Sequence, residues 1–195
     1  MRLILFAFDD IMYFIRIFGC TLMVKIDRWM YIYQINIIQM EKIIIAKTKS
    51  DYKVAAQLFK EYATRLGIDL CFQHFEEELS SLSNMYAPPY GGIILYKNEG
   101  NFIGCVGIRK LGPIICELKR MYVQPSFHKK GIGKILVNEA IKLAKKLKYK
   151  SIRLDTLSHM LPAINLYKQF GFVEIPPYYH NPDSTALFFE LIISG

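Results

Sequence analysis

The residues best placed to do chemistry lie in the segment Met121-Tyr-Val-Gln-Pro-Ser-Phe-His-Lys-Lys-Gly-Ile-Gly-Lys134. A β-rich run ends at Pro125, a basic turn follows, and an amphipathic pattern begins at Ile132. Backbone amides at the start of a helix form an anion site. Lys129, Lys130 and Lys134 add positive charge there, and His128 adds a hydrogen-bond donor. Gly131 and Gly133 let a phosphate approach the main chain closely. The expected ligand is a diphosphate, cradled by His128, Lys129, Lys130, Gly131, Ile132, Gly133 and Lys134. Two other diphosphate motifs are excluded. A dinucleotide fingerprint needs a third glycine where Leu136 stands, and a Walker motif needs a hydroxyl where Ile135 stands.

The elements that must position this turn can be read from residue 40 onward. Residues 43–46 form a short strand rich in β-branched residues. After Ser50 a helix carries Val54, Ala55, Leu58, Phe59, Tyr62, Ala63 and Leu66 on one face. A second helix is predicted over about 73–82, with acidic Glu76, Glu77 and Glu78. The loop 84–92 holds two prolines and two glycines, and its aromatics are expected to overhang a pocket. Strands at 93–96 and 102–108 flank the turn Asn98-Glu-Gly-Asn101. A strand over 114–123 leads into the basic turn, and a helix runs over about 131–147. A strand at 151–155, a helix opened by Pro162 and closed by Gly171, and strands at 172–175 and 186–193 complete the chain.

This order, together with His128-Lys-Lys-Gly131-Ile-Gly133, resembles the GNAT superfamily of N-acetyltransferases, and within it a subgroup of small bacterial enzymes of undefined substrate. The resemblance extends over about 40–191. It rests further on Cys116-Glu-Leu-Lys-Arg-Met-Tyr-Val123, Arg153-Leu-Asp-Thr-Leu157, Leu166-Tyr-Lys-Gln-Phe-Gly-Phe172 and Tyr178-Tyr-His-Asn-Pro182. It implies an α+β fold: a mixed, mostly antiparallel central sheet splayed around the cofactor and flanked by helices. It also implies acetyl-CoA as co-substrate and direct transfer of an acetyl group to a primary amine of a small molecule or amino-acid-like acceptor. The main chain at Met121, Tyr122 and Val123, with Val123 the favoured donor, would polarise the thioester carbonyl at a bulge. The neighbouring strand would be 151–156. Tyr167 matches the family's general acid, and Glu117 stands where some members carry a catalytic glutamate. Read from spacing alone, Tyr167 is a core aromatic; Glu117, a carboxylate inside an apolar strand, is either a base or the partner of Lys119, Arg120 or Arg153. If the strand alternates regularly, Arg120 and Tyr122 point away from the face of Glu117, Lys119 and Met121. Departures from the pattern are His128 for Gln or Arg, Met160 for an asparagine, and Asp183-Ser-Thr185 for a glycine-containing turn. They keep open an alternative, a GNAT-fold module that binds acyl-CoA as a sensor with little turnover.

Composition limits the remaining classes. A chain of 195 residues with 52% hydrophobic and 22% charged residues can bury a core. Net charge is +8, and residues 129–150 hold eight lysines against one acid. That run suits the solvated face of a helix, and no arginine stripe with interleaved aromatics suggests nucleic acid. Cys20, Cys71, Cys105 and Cys116 are scattered, as are the four histidines, so no metal site is expected. This cysteine usage fits a reducing cytoplasm, with Cys105 and Cys116 as buried small residues. Residues 1–39 are apolar but interrupted by charge, too short of the roughly 18 apolar residues of a stable membrane span. They are expected to be a dispensable appendage to a domain spanning 40–195. The C-terminal strand could pair across a homodimer.

Overall fold

The computed structural model describes residues 10–17, 20–27, 42–67 and 74–193. These fall into two compact units. The first contains an antiparallel hairpin of β1 (Asp10–Ile17) and β2 (Cys20–Asp27), in register from Asp10 opposite Asp27 to Ile17 opposite Cys20. The sequence reading assigned no element here. Yet both segments are rich in the Ile, Val, Tyr, Phe and Thr that favour extended backbone. The expected domain start at Met40 lies outside the described residues.

The second unit is built on a seven-stranded sheet in the order β3-β4-β5-β6-β7-β9-β8. Its strands are β3 (Lys42–Ile45), β4 (Gly92–Asn98), β5 (Asn101–Lys110), β6 (Ile115–Val123), β7 (Ser151–Leu157), β8 (Val173–Ile175) and β9 (Ala186–Ile192). β5 and β6 are antiparallel, β6 and β7 parallel, and β9 lies antiparallel between β7 and β8. The C-terminal strand is therefore not the exposed edge expected from sequence. β8 pairs with it from Phe188 to Glu190.

Helices cover both faces. On one lie α1 (Lys49–Leu66), α2 (Phe75–Ser80) and α3 (Leu82–Met85). Their buried residues, including Leu58, Phe59 and Leu82, pack against Ile93, Leu95, Cys105 and Tyr122 of the sheet. On the other lie α4 (Ile132–Lys146) and α5 (Leu161–Gln169). Leu136, Val137 and Ala140 of α4 and Ile164 of α5 pack there with Val106, Leu118, Ile152 and Leu154.

α1 starts two residues earlier than Ser50 would place it, at Lys49 with Thr48 as its cap. Thr48 accepts a hydrogen bond from the Asp51 amide at 3.1 Å, and Asp51 accepts from the Thr48 amide at 2.9 Å, which closes a capping box. The helix expected over 73–82 is two shorter helices that meet at Ser81. Its expected start at Gln73 lies outside the described residues.

Candidate active site

The site begins where a ladder stops. β6 and β7 pair only at Ile115–Ser151, Cys116–Ile152 and Glu117–Arg153. Beyond these three pairs, 118–123 and 154–157 run on without pairing each other, while β7 stays in register with β9 through Leu157. The sheet therefore opens into a wedge between two parallel strands.

A bulge shapes the β6 side of that wedge. Cys105 stands opposite Tyr122 and Gly107 opposite Lys119, so Arg120 and Met121 together oppose Val106. Arg120 has φ 55°, in the left-handed region. The extra residue reverses the side-chain alternation and corrects the sequence reading. Arg120 and Tyr122 lie on the face of Glu117 and Lys119, and Met121 and Val123 join Leu118 on the opposite face. Backbone direction follows from one bond. The Gln124 amide donates to the Ile103 carbonyl on β5 at 2.8 Å. By alternation the Val123 amide and carbonyl face the other way, into the wedge.

Tyr62, Leu66, Leu118, Lys119, Arg120, Met121, Asp155, Thr156, Leu157, Met160, Ala163, Tyr167 and Asn181 line the cavity at the wedge. Tyr167 reaches it from α5, a helix capped by Met160 with Pro162 in its first turn. Its ring is buried against Phe172, and its hydroxyl points to the Met121 sulfur at 3.8 Å. A thioether is a weak acceptor, so the hydroxyl can turn to a better one. Burial, then the nearby Tyr62 and Asp155, push the Tyr167 hydroxyl well above its ordinary pKa. It stays protonated at neutral pH.

The basic turn follows β6 through a short 3-10 segment, Pro125–Phe127. Gly131 caps α4 with φ 81°, and a Cβ there would meet nothing within 4 Å. The first helical bond, from the Ile135 amide to the Gly131 carbonyl, leaves the amides of Ile132, Gly133 and Lys134 without an intrahelical acceptor. Lys129, Lys130 and Lys134 are exposed around them, with the Lys130 ammonium 4.7 Å from the centre of the Phe127 ring. Two residues of the expected cradle also make contacts within the protein. A Cβ on Gly133 would come 3.2 Å from Leu166, so this glycine also lets α4 pack closely on α5. His128 places Nε2 2.8 Å from the Val123 carbonyl, which ties the turn back to the wedge.

Glu117 is buried but does not line the cavity. Arg109 donates to its Oε2 through Nε at 2.8 Å, with a second guanidinium nitrogen also at 2.8 Å. Tyr178 donates to its Oε1 at 2.8 Å. Lys119 lies farther off at 3.9 Å, so the partners are largely not those expected from sequence. The carboxylate that does line the cavity is Asp155, 3.2 Å from the Lys119 ammonium. Burial pushes its carboxyl up, but Lys119 and a hydrogen bond from Tyr179 outweigh that and hold it below its ordinary value.

Sequence reasoning also missed Glu78 and Tyr86. Glu78 is 1% exposed and holds Arg120 through Nε at 3.1 Å, while Tyr86 donates to its other oxygen. The signal was present: Glu78 follows Phe75 by three residues and precedes Leu82 by four, within the apolar stripe of its helix. Tyr86 belongs to the loop whose aromatics were expected over a pocket, yet it is fully buried.

Residues 53–172 match the sequence pattern of the acetyltransferase (GNAT) family. The chain belongs to that family. It is 41% identical to an uncharacterized N-acetyltransferase of Schizosaccharomyces pombe over 146 residues, covering 74% of this chain and 88% of the relative. It is 32% identical to one from Dictyostelium discoideum, covering 68% and 89% of the two chains. A GNAT-family acetyltransferase structure from Staphylococcus aureus superposes with a TM-score of 0.66 at 22% identity, covering 80% of this chain and all of that one. This chain is thus a GNAT N-acetyltransferase whose co-substrate is acetyl-CoA. The residues present fit that group: open space over Gly131, helix-start amides ringed by lysines, and an unladdered wedge leading to Tyr167. Among the described residues no helix is long and apolar enough to cross a membrane.

Proposed function

We propose that this enzyme acetylates a primary amine of a small or amino-acid-like acceptor, with Tyr167 as general acid. The observation that carries the reading is the Tyr167 hydroxyl, buried, held protonated, and facing the Met121 sulfur across the wedge. The turn residues His128, Lys129, Lys130, Gly131, Ile132, Gly133 and Lys134 hold the diphosphate end of the coenzyme. The main chain at Met121, Tyr122 and Val123 holds its acyl end, the Val123 amide donating to the acyl oxygen. As the acceptor nitrogen bonds to the acyl carbon and the carbon–sulfur bond breaks, Tyr167 gives its proton to the sulfur. The acceptor's own proton leaves toward a carboxylate. Asp155 lines the cavity, whereas Glu117 lies off it and accepts from the Tyr178 hydroxyl. The tyrosines, Asn181 and Asp155 suit a small polar acceptor.

The test is thiol release from acetyl-CoA with a panel of small primary amines. Steady release is expected, and Asp155→Asn and Glu117→Gln separate the two proton routes by which one slows it. Protection of the full chain by coenzyme A without release from any amine would favour the sensor module instead. Gly131→Ala should weaken that protection, because position 131 needs a left-handed backbone beside open space.

A further inference from the structure

Four residues converge beneath the bulge. Arg120, the left-handed residue, sends its guanidinium to Glu78 on α2, with Nε at 3.1 and 3.3 Å from the two carboxylate oxygens and Nη2 also bound. Tyr86 donates to Glu78 from the loop after α3. Phe75, at the start of α2, lies with its ring centre 5.1 Å from the guanidinium carbon. The Arg120 carbonyl takes a long hydrogen bond from the Cys105 thiol at 3.5 Å. Room for the Tyr86 ring comes from Gly107 on the facing strand, where a Cβ would come 2.5 Å from that ring. Arg120 and Glu78 are only 4% and 1% exposed.

A non-glycine residue at positive φ is strained and persists when its surroundings hold it. Here the surroundings are a buried, bidentate ion pair. The strained residue comes just before Met121, Tyr122 and Val123. A bulge that relaxed to regular pairing would shift the following residues by one place. The Val123 amide would then turn from the wedge toward β5.

From this we propose that Glu78 is a positioning residue: through Arg120 it holds the β6 bulge in register, so that the Val123 amide stays aimed at the acyl oxygen. The inference rests on the bulge being the acyl-binding main chain, as proposed above. Glu78 touches neither substrate. α2 thereby takes part in the reaction without lining the cavity. Tyr86 and Gly107 belong to the same clamp, one as a donor to Glu78 and the other as the space for its ring.

The experiment uses the full chain and two kinds of variant. Glu78→Gln keeps the shape and removes the charge. The double variant Glu78→Leu with Arg120→Met replaces the pair with apolar groups of similar size, an exchange that folds tolerate. Each is measured for turnover of acetyl-CoA with the best amine of the panel, KM for acetyl-CoA, thermal protection by coenzyme A, and the amide NMR shifts of Met121 and Val123. A clamp predicts a fall in kcat of about 10²-fold, as for loss of one oxyanion donor, with KM changed little and both amides shifted. The double variant should stay folded yet remain slow. Parental kcat and unshifted amides in the folded double variant would overturn the proposal and leave the pair a purely structural contact. Because the amide shifts are read without turnover, they test the clamp even if no amine is acetylated. In that case it is the transferase reading that fails.

Discussion

On the sheet face covered by α4 and α5, Val106, Leu118, Leu136, Val137, Ala140, Ile152 and Leu154 pack together without a buried charge among the described residues. On the face covered by α1, α2 and α3, Phe75 and Tyr86 lie against the buried pair Glu78–Arg120, and Glu117 with Lys119 lies on that same side of β6. One face is filled by apolar bulk, and the other is organised by ion pairs. They meet through the wedge, where Tyr167 of the first faces Tyr62 and Asp155 of the second. The contrast is one of support: the apolar face carries the start of α4 and the basic turn before it, and the charged face carries the bulged end of β6.

The strongest way to break this comparison is at the meeting point. Tyr167→Phe keeps the ring against Phe172 and removes only the hydroxyl. Turnover should fall about 10²–10⁴-fold with coenzyme A protection retained. Unchanged turnover, where chemistry limits the rate, would remove the acid role.

Stability should separate the faces next. Glu78→Ala leaves Arg120 buried without its partner and is expected to cost about 3–5 kcal/mol in urea unfolding. Leu136→Ala on the other face should cost about 2–5 kcal/mol through a cavity. Only the first loss should be recovered by a second substitution, Arg120→Met. If Arg120→Met rescues nothing, the charged face is not organised by this pair.

A smaller, pH-dependent effect sharpens the same point. Burial raises the Tyr62 hydroxyl to about 12 and lifts Tyr86 and Tyr167 as well. An unfolded tyrosine titrates near 10. The folded state therefore holds these protons after the unfolded state has released them. Stability should be intact below about pH 10 and decline as pH rises through 12. The urea midpoint compared at pH 9 and pH 11 reads this, and Tyr62→Phe should reduce the slope.

The smallest effect is expected from the N-terminus. A chain starting at Met40 should retain coenzyme A protection and turnover, because the elements from β3 onward complete the sheet. Loss of either would make 1–39 part of the working fold.

The apolar face was the more legible in sequence. Leu136, Ala140 and Leu143 follow helical spacing on α4, and the strands into and out of it alternate or run apolar. The turn into α4 was legible too, because Gly131 takes the left-handed position before the helix. The charged face was not. A bulge has no marker in the residues Arg120-Met121 themselves: the family resemblance placed one at 121–123, but the side on which Arg120 and Tyr122 fall depends on where the extra residue sits. The partner of Glu117 is Arg109, one strand away, and pairing across strands depends on register rather than spacing along the chain. Met160 and Asp155, by contrast, were visible as residues but not as neighbours, since the parallel crossover that brings them to the cavity is a tertiary event.

The three-rung ladder between β6 and β7 also governs how the molecule comes apart. It is the backbone join between a four-stranded half, β3 to β6, and a three-stranded half, β7, β9 and β8. Proteins open in cooperative blocks, and a short join is where two blocks part at least cost. Without ligand, amide exchange should therefore report two protection levels, one for each half-sheet. A ligand laid along the wedge adds the missing rungs and should merge them into one, so that occupancy is read as cooperativity and not only as a rise in melting temperature.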